Sequence, residues 1–344
     1  MTKRAVVLFN LGGPDRIEAV APFLFNLFYD PAVIRLPAVL RWPVATLIAR
    51  GRAKAARGIY EKLGGGSPIR ANTEAQASAL EARLGAGYRV FTAMRYWHPF
   101  AGETAHAVRD WGADEILLLP LYPQFSSTTT ASSFADWHRA ARQAGIAAPT
   151  RGICCYPDEP GFIAAIVGEI KTLLGRWRSR EPKRILFSAH GLPERIAADG
   201  DPYVWQVERT VAAIRAGLGE TGVDSVLCYQ SRVGPLKWIG PATDAEIRRA
   251  GAEKVGLLVV PIAFVSEHSE TLIELDVEYK HLAGQVGVPT YLRAPTVSLA
   301  DSFIAGLATV VERGFAGGSM AASANGARLC PARFSRCAFR KAAA

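Results

Sequence analysis

Residues 185–195 read ILFSAHGLPER: a short apolar run, then His190, then a glycine and a proline that stop the run. Short apolar runs bounded by turn residues suit strands buried on both faces, as in a parallel sheet covered by helices. The same pattern recurs along the chain. Working outward from Ile185–Ser188, strands are predicted at Ala5–Phe9, Arg89–Met94, Glu115–Leu119, Thr150–Cys154, Asp224–Tyr229, Val255–Val260 and Pro289–Leu292. Helical patterns separate them. Eight strands in two sets of four, broken near residues 155–184, predict an α/β fold of two βαβ-type domains, each with a four-stranded parallel sheet flanked by helices. Residues 1–155 form the first domain and 156–315 the second. Residues 316–344 read as a flexible Gly/Ser/Ala-rich linker and a basic, cysteine-containing tail. LLLPLYPQFSS (117–127) and LVVPIAFVS (258–266) share a strand that ends at proline, then an aromatic and hydroxyl residues, which hints at internal duplication.

The 344 residues carry 40 Lys and Arg against 31 Asp and Glu, a net charge of +9. An apolar share of 49% and a charged share of 21% exclude a wholly disordered chain. Five cysteines, an odd number in a chain this long, do not make a disulfide scaffold and suit a reducing compartment. The opening MTKRAVVLFNLGGPD reads as a first strand, because Asn10 and Gly12 interrupt the apolar stretch that a secretory leader needs. No window offers the roughly 18 apolar residues of a membrane span. Nucleic acid is not the expected partner, since the basic residues form no block of five to eight and no zinc-finger or RNA-recognition pattern is present. Residues 20–50 are apolar and aromatic, with Phe23, Phe25, Phe28, Tyr29 and Trp42, and with Arg35, Arg41 and Arg50 interspersed. Prolines forbid a single long helix there. Two readings stand: a buried helix pair, or an apolar face flanked by cations that rests on an anionic bilayer.

In open parallel sheets, ligands bind beyond the carboxyl ends of the strands. The unusual residues of this chain sit at those predicted ends: NLGGPD (10–15), RYWHPF (95–100), LYPQFSSTTT (121–130), SAHGLPER (188–195), YQSRVGPLKWIGPAT (229–243) and PIAFVSEHSET (261–271). These six loops are expected to converge on one cleft. A lone histidine such as His190 is ordinarily structural, but its place at a strand end also makes it a candidate ligand or base. After Pro261, Ser266 is a plausible N-cap, and a helix is predicted from Glu267 to about Lys280. Glu267, Glu270, Glu274 and Glu278 would share one face of it, beside His268. An acidic row can simply face solvent. Near a cleft it also suits a divalent cation held loosely, or a path for protons. Leu11, Tyr60, Tyr96, Trp97, Phe125, Trp238, Ile239 and Phe264 each read singly as core, but as a set placed in loops they could wall a flat apolar ligand, with Arg52, Ser67 and Arg95 pairing with carboxylates at its rim.

LFNLGGPD, YEKLGGGSPI, MRYWHPF, LLPLYPQFSSTTTAS, FSAHGLPER, YQSRVGPLKWIGPAT and VPIAFVSEHSETLIELDVEY, taken in order over residues 5–310, resemble the ferrochelatase family. The resemblance implies a lyase that inserts Fe²⁺ into protoporphyrin IX to form protohaem, with release of two protons, in the last step of haem synthesis. It implies two Rossmann-like, chelatase-like domains and a hydrophobic lip, here residues 20–50, on an anionic membrane surface. The protein would then be cytoplasmic and peripheral on the inner face of the plasma membrane. A homodimer or an upstream haem-pathway enzyme is the protein partner that the family suggests.

Carried over residue by residue, His190 and Glu270 are the catalytic pair, and His190, Glu270, Glu267 and His268 handle the metal. Glu274 and Glu278 continue a path from the site. Leu11, Arg52, Tyr60, Ser67, Arg95, Tyr96 and Trp238 match porphyrin-binding positions. Members that hold a [2Fe–2S] cluster use four cysteines, for which Cys154, Cys155, Cys330 and Cys337 are the candidates here; Phe339 stands where a third tail cysteine would fall. Chelation of another tetrapyrrole or metal, such as coproporphyrin or cobalt, stays open beside this reading. So does a non-enzymatic porphyrin or haem carrier, although a carrier has no need of an acidic row beside a histidine.

Overall fold

The computed structural model describes residues 1–232, 234 and 236–341. The chain divides into two units. The first holds Met1–Tyr156, Leu307–Leu329 and residues 338–341; the second holds Pro157–Gly306 and Cys330–Cys337.

The first unit is built on strands β1 (Arg4–Asn10), β2 (Tyr88–Met94), β3 (Glu115–Pro120) and β4 (Thr150–Cys155). The second is built on β5 (Lys183–His190), β6 (Asp224–Gln230), β7 (Gly256–Pro261) and β8 (Tyr291–Arg293). All eight predicted strands form, one or two residues adrift at their ends. Two further strands, β9 (Ser319–Ser323) and β10 (Arg340–Lys341), join the first sheet. The strand orders are β10-β9-β4-β3-β1-β2 and β6-β5-β7-β8. Every pairing is parallel except β10 on β9.

The order β2-β1-β3-β4 repeats as β6-β5-β7-β8, so the two similar segments at 117–127 and 258–266 begin on strands that hold the same place in their sheets. In both sheets the chain leaves the central strand to one side and returns on the other. That reversal, at β1/β3 and at β5/β7, is the switch point where the carboxyl ends of neighbouring strands leave an open crevice. Val6, Val7 and Leu8 of β1, and Leu257, Leu258 and Val259 of β7, are fully buried without alternation, because helices cover both faces. Each such side chain stabilises the fold by about 1.5–3 kcal/mol. In the first unit Phe9 meets Phe134 and Trp137 edge-on at 6.0 and 6.1 Å. In the second, Leu186, Leu257 and Val259 pack with Ile247 and Leu275.

The tail differs from its reading as a flexible linker. Ser319–Ser323 pairs with β4, with Gly152 opposite Ala321 and Ile153 opposite Ala322. Alanine and serine have little intrinsic strand preference, and the pairing comes from β4, whose backbone groups would otherwise lie at an open edge. The boundary expected after residue 155 falls after Tyr156, and the tail is shared between the units.

Residues 20–50 contain two helices, Val20–Tyr29 and the start of Ala38–Lys62, separated by a turn that holds Pro31 and Pro37. Part of this region is core, since Phe23 and Leu24 pack with Tyr60, Tyr96 and Trp97. Part is not. Val39 is 84% exposed, Leu47 75%, and Leu40 and Trp42 56% each. Among the described residues, no helix is long and apolar enough to cross a membrane.

Candidate active site

β5 delivers His190 at its carboxyl end, where Gly191 turns the chain sharply. A Cβ on Gly191 would lie 2.8 Å from the carbonyl oxygen of Gln230 and 3.2 Å from the Trp238 ring, so only glycine fits. The neighbouring strand β7 ends at Pro261, and the chain then enters a wide π-helical segment, Glu270–Tyr279. π-Helical turns are rare and frequently mark functional sites.

These two strand ends bring His190 and Glu270 together, with Nε2 3.6 Å from Oε1. The other carboxylate oxygen, Oε2, lies 3.5 Å from Nε2 of His268. Both imidazoles are set in the same way: Nδ1 of His190 bonds to the Gly191 carbonyl at 2.6 Å, and Nδ1 of His268 to the Ser266 carbonyl at 3.1 Å. A carbonyl can only accept, so each Nδ1 carries hydrogen and each Nε2 is turned to the carboxylate. Tyr203 donates its hydroxyl to the His190 carbonyl, which steadies the strand end. Phe264 stands edge-on to His190 and against His268, at 6.2 and 4.7 Å.

The electrostatics follow from this arrangement. Burial opposes charge on His190, but the Glu270 carboxylate outweighs it and lifts the imidazole from 6.5 to about 9. Burial likewise opposes charge on Glu270, and the two histidines outweigh it, holding the carboxyl well below its usual range. The side chains of His190 and Glu270 remain 39% and 32% exposed, so the pair is reachable. Among the described residues, no group of three His, Cys, Asp or Glu side chains is arranged to enclose a metal ion.

Glu267 does not join this cluster. It lies ahead of the helix rather than in its first turn, and Oε1 accepts from Arg293 Nη1 at 2.5 Å and from the Thr296 amide at 2.9 Å. Arg293, which also binds Asp276, is 10% exposed and draws the carboxylate inward. The expected shared face of 267, 270, 274 and 278 therefore fails, because helical spacing begins only at 270 and is wider than α. Glu274 accepts four hydrogen bonds: from the Ser231 amide (2.7 Å), the Ser231 hydroxyl (2.5 Å), Gln230 Nε2 (3.0 Å) and the Tyr279 hydroxyl (2.9 Å). Glu278 is exposed.

The Trp238 ring lies by Gly191 and its backbone bridges to Pro193, and its buried indole N–H has no hydrogen-bond partner among the described residues. Leu11, Arg52, Tyr60, Ser67, Arg95 and Tyr96 belong to the first unit. Leu11 is half-buried, and Arg52 is exposed with its guanidinium over Phe28. Ser67 packs against Gly13, where a Cβ would meet it at 2.6 Å. Tyr60 and Tyr96 are 7% and 2% exposed and belong to the apolar cluster around Trp97, so they are core rather than wall. Tyr96 donates to Asp30, a carboxylate that also accepts from Ser132 at 2.5 Å and pairs with Arg95 at 2.9 Å. Arg95 in turn donates to Ser132 and faces Asp136 at 3.6 Å. Nothing in the sequence pattern marked Asp30 or Arg293. Gln230 lay inside a quoted segment, and its signal was its place at the end of the strand next to β5.

An iron–sulfur cluster is not shown: among the described residues, no three of the cysteines are arranged to hold a metal. Cys154 and Cys155, with sulfurs 3.6 Å apart, are buried on β4 among Phe125, Leu329 and Ala338. Cys330 belongs to the second unit and accepts from the Gln206 amide. Cys228 is fully buried on β6, accepts from Thr243, and burial pushes its thiol up to about 12, so it is a packing residue.

Comparison with known proteins agrees with this architecture. A family model described as Ferrochelatase matches residues 3–314. The chain is 54% identical over 343 residues to the ferrochelatase of Phenylobacterium zucineum, covering 98% of each chain. It is 51% identical over 348 residues to that of Caulobacter vibrioides, covering 99% of each. Among solved structures, SirB from Bacillus subtilis with Fe³⁺ aligns with a TM-score of 0.52 over 89% of this chain and 93% of that one, at 13% identity, a likeness of fold. The chain belongs to the ferrochelatase family, the lyases that insert Fe²⁺ into a porphyrin in haem synthesis.

Proposed function

We propose that this chain inserts Fe²⁺ into protoporphyrin IX, with His190 and Glu270 as its reacting pair. The observation that supports this is the Glu270 carboxylate, set between the Nε2 atoms of two imidazoles whose Nδ1 atoms are tied to backbone carbonyls. The reaction exchanges two pyrrole N–H protons for one Fe²⁺. It needs a base that faces the macrocycle and a carboxylate that tolerates a passing dication. His190 and Glu270 titrate as a coupled unit, and at neutral pH the unit holds one proton on the imidazole. An approaching Fe²⁺ repels that proton, which passes through Glu270 toward His268. The freed Nε2 of His190 then takes the two pyrrole protons one after the other, passing the first on through Glu270 toward His268 and solvent before it accepts the second. Glu278, exposed on the same helix, offers the protons an exit to solvent, while Glu274 stays a fixed anion among its four donors.

Trp238, whose ring lies by Gly191 next to His190, supplies an apolar face to the ligand. Arg52 offers an exposed cation to a propionate, with Leu11 and Ser67 as further ligand contacts. Arg95 and Tyr96, tied to Asp30, hold the shape of that part of the first unit. The exposed apolar side chains on Ala38–Lys62, with Arg41, Arg50 and Arg52 along the same helix, suit attachment to an anionic membrane surface, where each cation contributes about 1 kcal/mol.

The test is loss of porphyrin fluorescence on adding Fe²⁺ anaerobically, with wild-type protein and with His190→Ala. The variant should lose at least about 100-fold in rate, the lower end for a general base, while still binding porphyrin. Full activity in the variant removes His190 from the mechanism. Porphyrin binding by the wild type without any faster metalation would make the chain a carrier.

A further inference from the structure

Gln230 is the last residue of β6 and stands in register with His190 on β5. It is fully buried. A buried primary amide has two donors and an acceptor to satisfy, and each one left unmet costs about 1–3 kcal/mol. Here all are met, by partners on the strand of His190 and on the helix of Glu270. Oε1 accepts from the Ser188 hydroxyl at 2.8 Å, two residues before His190. Nε2 donates to the backbone carbonyl of Glu270 at 3.1 Å and to Oε2 of Glu274 at 3.0 Å. The main-chain carbonyl of Gln230 accepts from the Gly191 amide at 2.8 Å. One residue thus grips the histidine's strand on both sides of His190, and the glutamate's helix at Glu270 itself.

The next residue reinforces the grip. Ser231 sits in the left-handed region, with φ of 59°, which costs a non-glycine residue about 1–2 kcal/mol. Its amide and hydroxyl both donate to the Glu274 carboxylate, and charge-assisted bonds of this kind offset the strain. Tyr279 closes the set from one helical turn onward.

We propose that Gln230 is a positioning residue for metal insertion: its amide sets the separation of His190 and Glu270 without touching porphyrin or Fe²⁺. The inference rests on the reading of those two side chains as the reacting pair. Proton transfer between positioned groups is steep in distance, and a misplacement of about 1 Å can lower a rate about 100-fold.

Gln230→Met keeps the length and bulk of the side chain and removes its donors and acceptor. In the fluorescence assay, kcat should fall on the order of 10- to 100-fold, with KM for porphyrin within about twofold of wild type, in protein whose Tm stays above the assay temperature. A residue that only stabilises the fold would lower Tm and leave kcat of the folded protein intact. Ser188→Ala, which withdraws a single bond from the amide, should show a smaller loss confined to kcat, and it decides the question if Gln230→Met does not fold. Unchanged kcat in the folded variant, or a loss confined to KM, overturns the proposal. His190→Ala assayed alongside separates the two ideas. If it stays active, the reacting pair falls and the proposal with it; if it is dead while Gln230→Met runs at full rate, only the positioning role falls.

Discussion

Between pH 6.5 and 9 the stability of this protein should report on one imidazole. Burial works against the charge on His190 and Glu270 works for it, raising the folded group from 6.5 to about 9. A raised imidazole contributes stability that is fully present below pH 6.5 and is lost as pH climbs through about 9. Glu270 is depressed from 4.5, again against burial and because of the histidines, so its contribution is present above pH 4.5 and is lost as pH falls below that. Both contributions are complete only between those limits, from 4.5 to 6.5. Glu270→Gln removes both. Urea unfolding of wild type and variant should show a stability gap that is widest near pH 6 and narrows by pH 9. A gap that stays constant across that range would show that the imidazole is not held charged by Glu270. Nitrogen-detected NMR of the His190 ring gives the same answer directly, with a midpoint that falls from about 9 toward 6.5 in the variant.

Elements carry the next set of effects. The segment that precedes the π-helical stretch is fixed by Arg293, whose guanidinium holds Glu267 and Asp276 while 10% exposed. Arg293→Met would leave the Glu267 and Asp276 carboxylates without their shared cation, and breaking a buried pair from one side costs about 3–5 kcal/mol. Guanidinium unfolding should register a loss of that order, whereas a change under 1 kcal/mol would mean that water already screens the pair. The helix Ala38–Lys62 presents the opposite situation. Leu40 and Trp42 are each 56% exposed, so replacing both by Glu should leave Tm within about 2 °C. The same pair should markedly weaken co-sedimentation with vesicles that contain anionic lipid, and undiminished binding would assign that face to some other role.

At the scale of the whole molecule, the tail is structural. β9 covers the edge of β4, and Leu329 and Ala338 lie over Cys154, Cys155 and Phe125. A chain ending at Ala316 would expose that edge and that apolar cluster together. It should unfold at a lower temperature and associate on size-exclusion chromatography at concentrations where the full chain does not. An unchanged Tm would mean that β9 adds nothing to the sheet.

Eight strands, their division into two sets and the importance of the strand ends were legible in the sequence, because a parallel strand buried on both faces must be written as a continuous apolar run. His190 was marked as a candidate by its place at the end of such a run, whereas Glu270 was singled out from its acidic neighbours only by the resemblance to the family. What the sequence could not decide is which carboxylates remain available once the chain is folded. Glu267 and Glu270 are three residues apart and chemically identical, yet one is drawn to Arg293 on β8 and the other is left between two imidazoles. For Tyr96 the sequence left both core and wall open, and the structure buries it, because a tyrosine's exposure depends on what packs over it. Ser319–Ser323 became a strand because β4 offered unpaired backbone groups, not because its own residues favour one. Local pattern is set by neighbours along the chain; the fate of a polar group is set by partners that only the tertiary structure brings near.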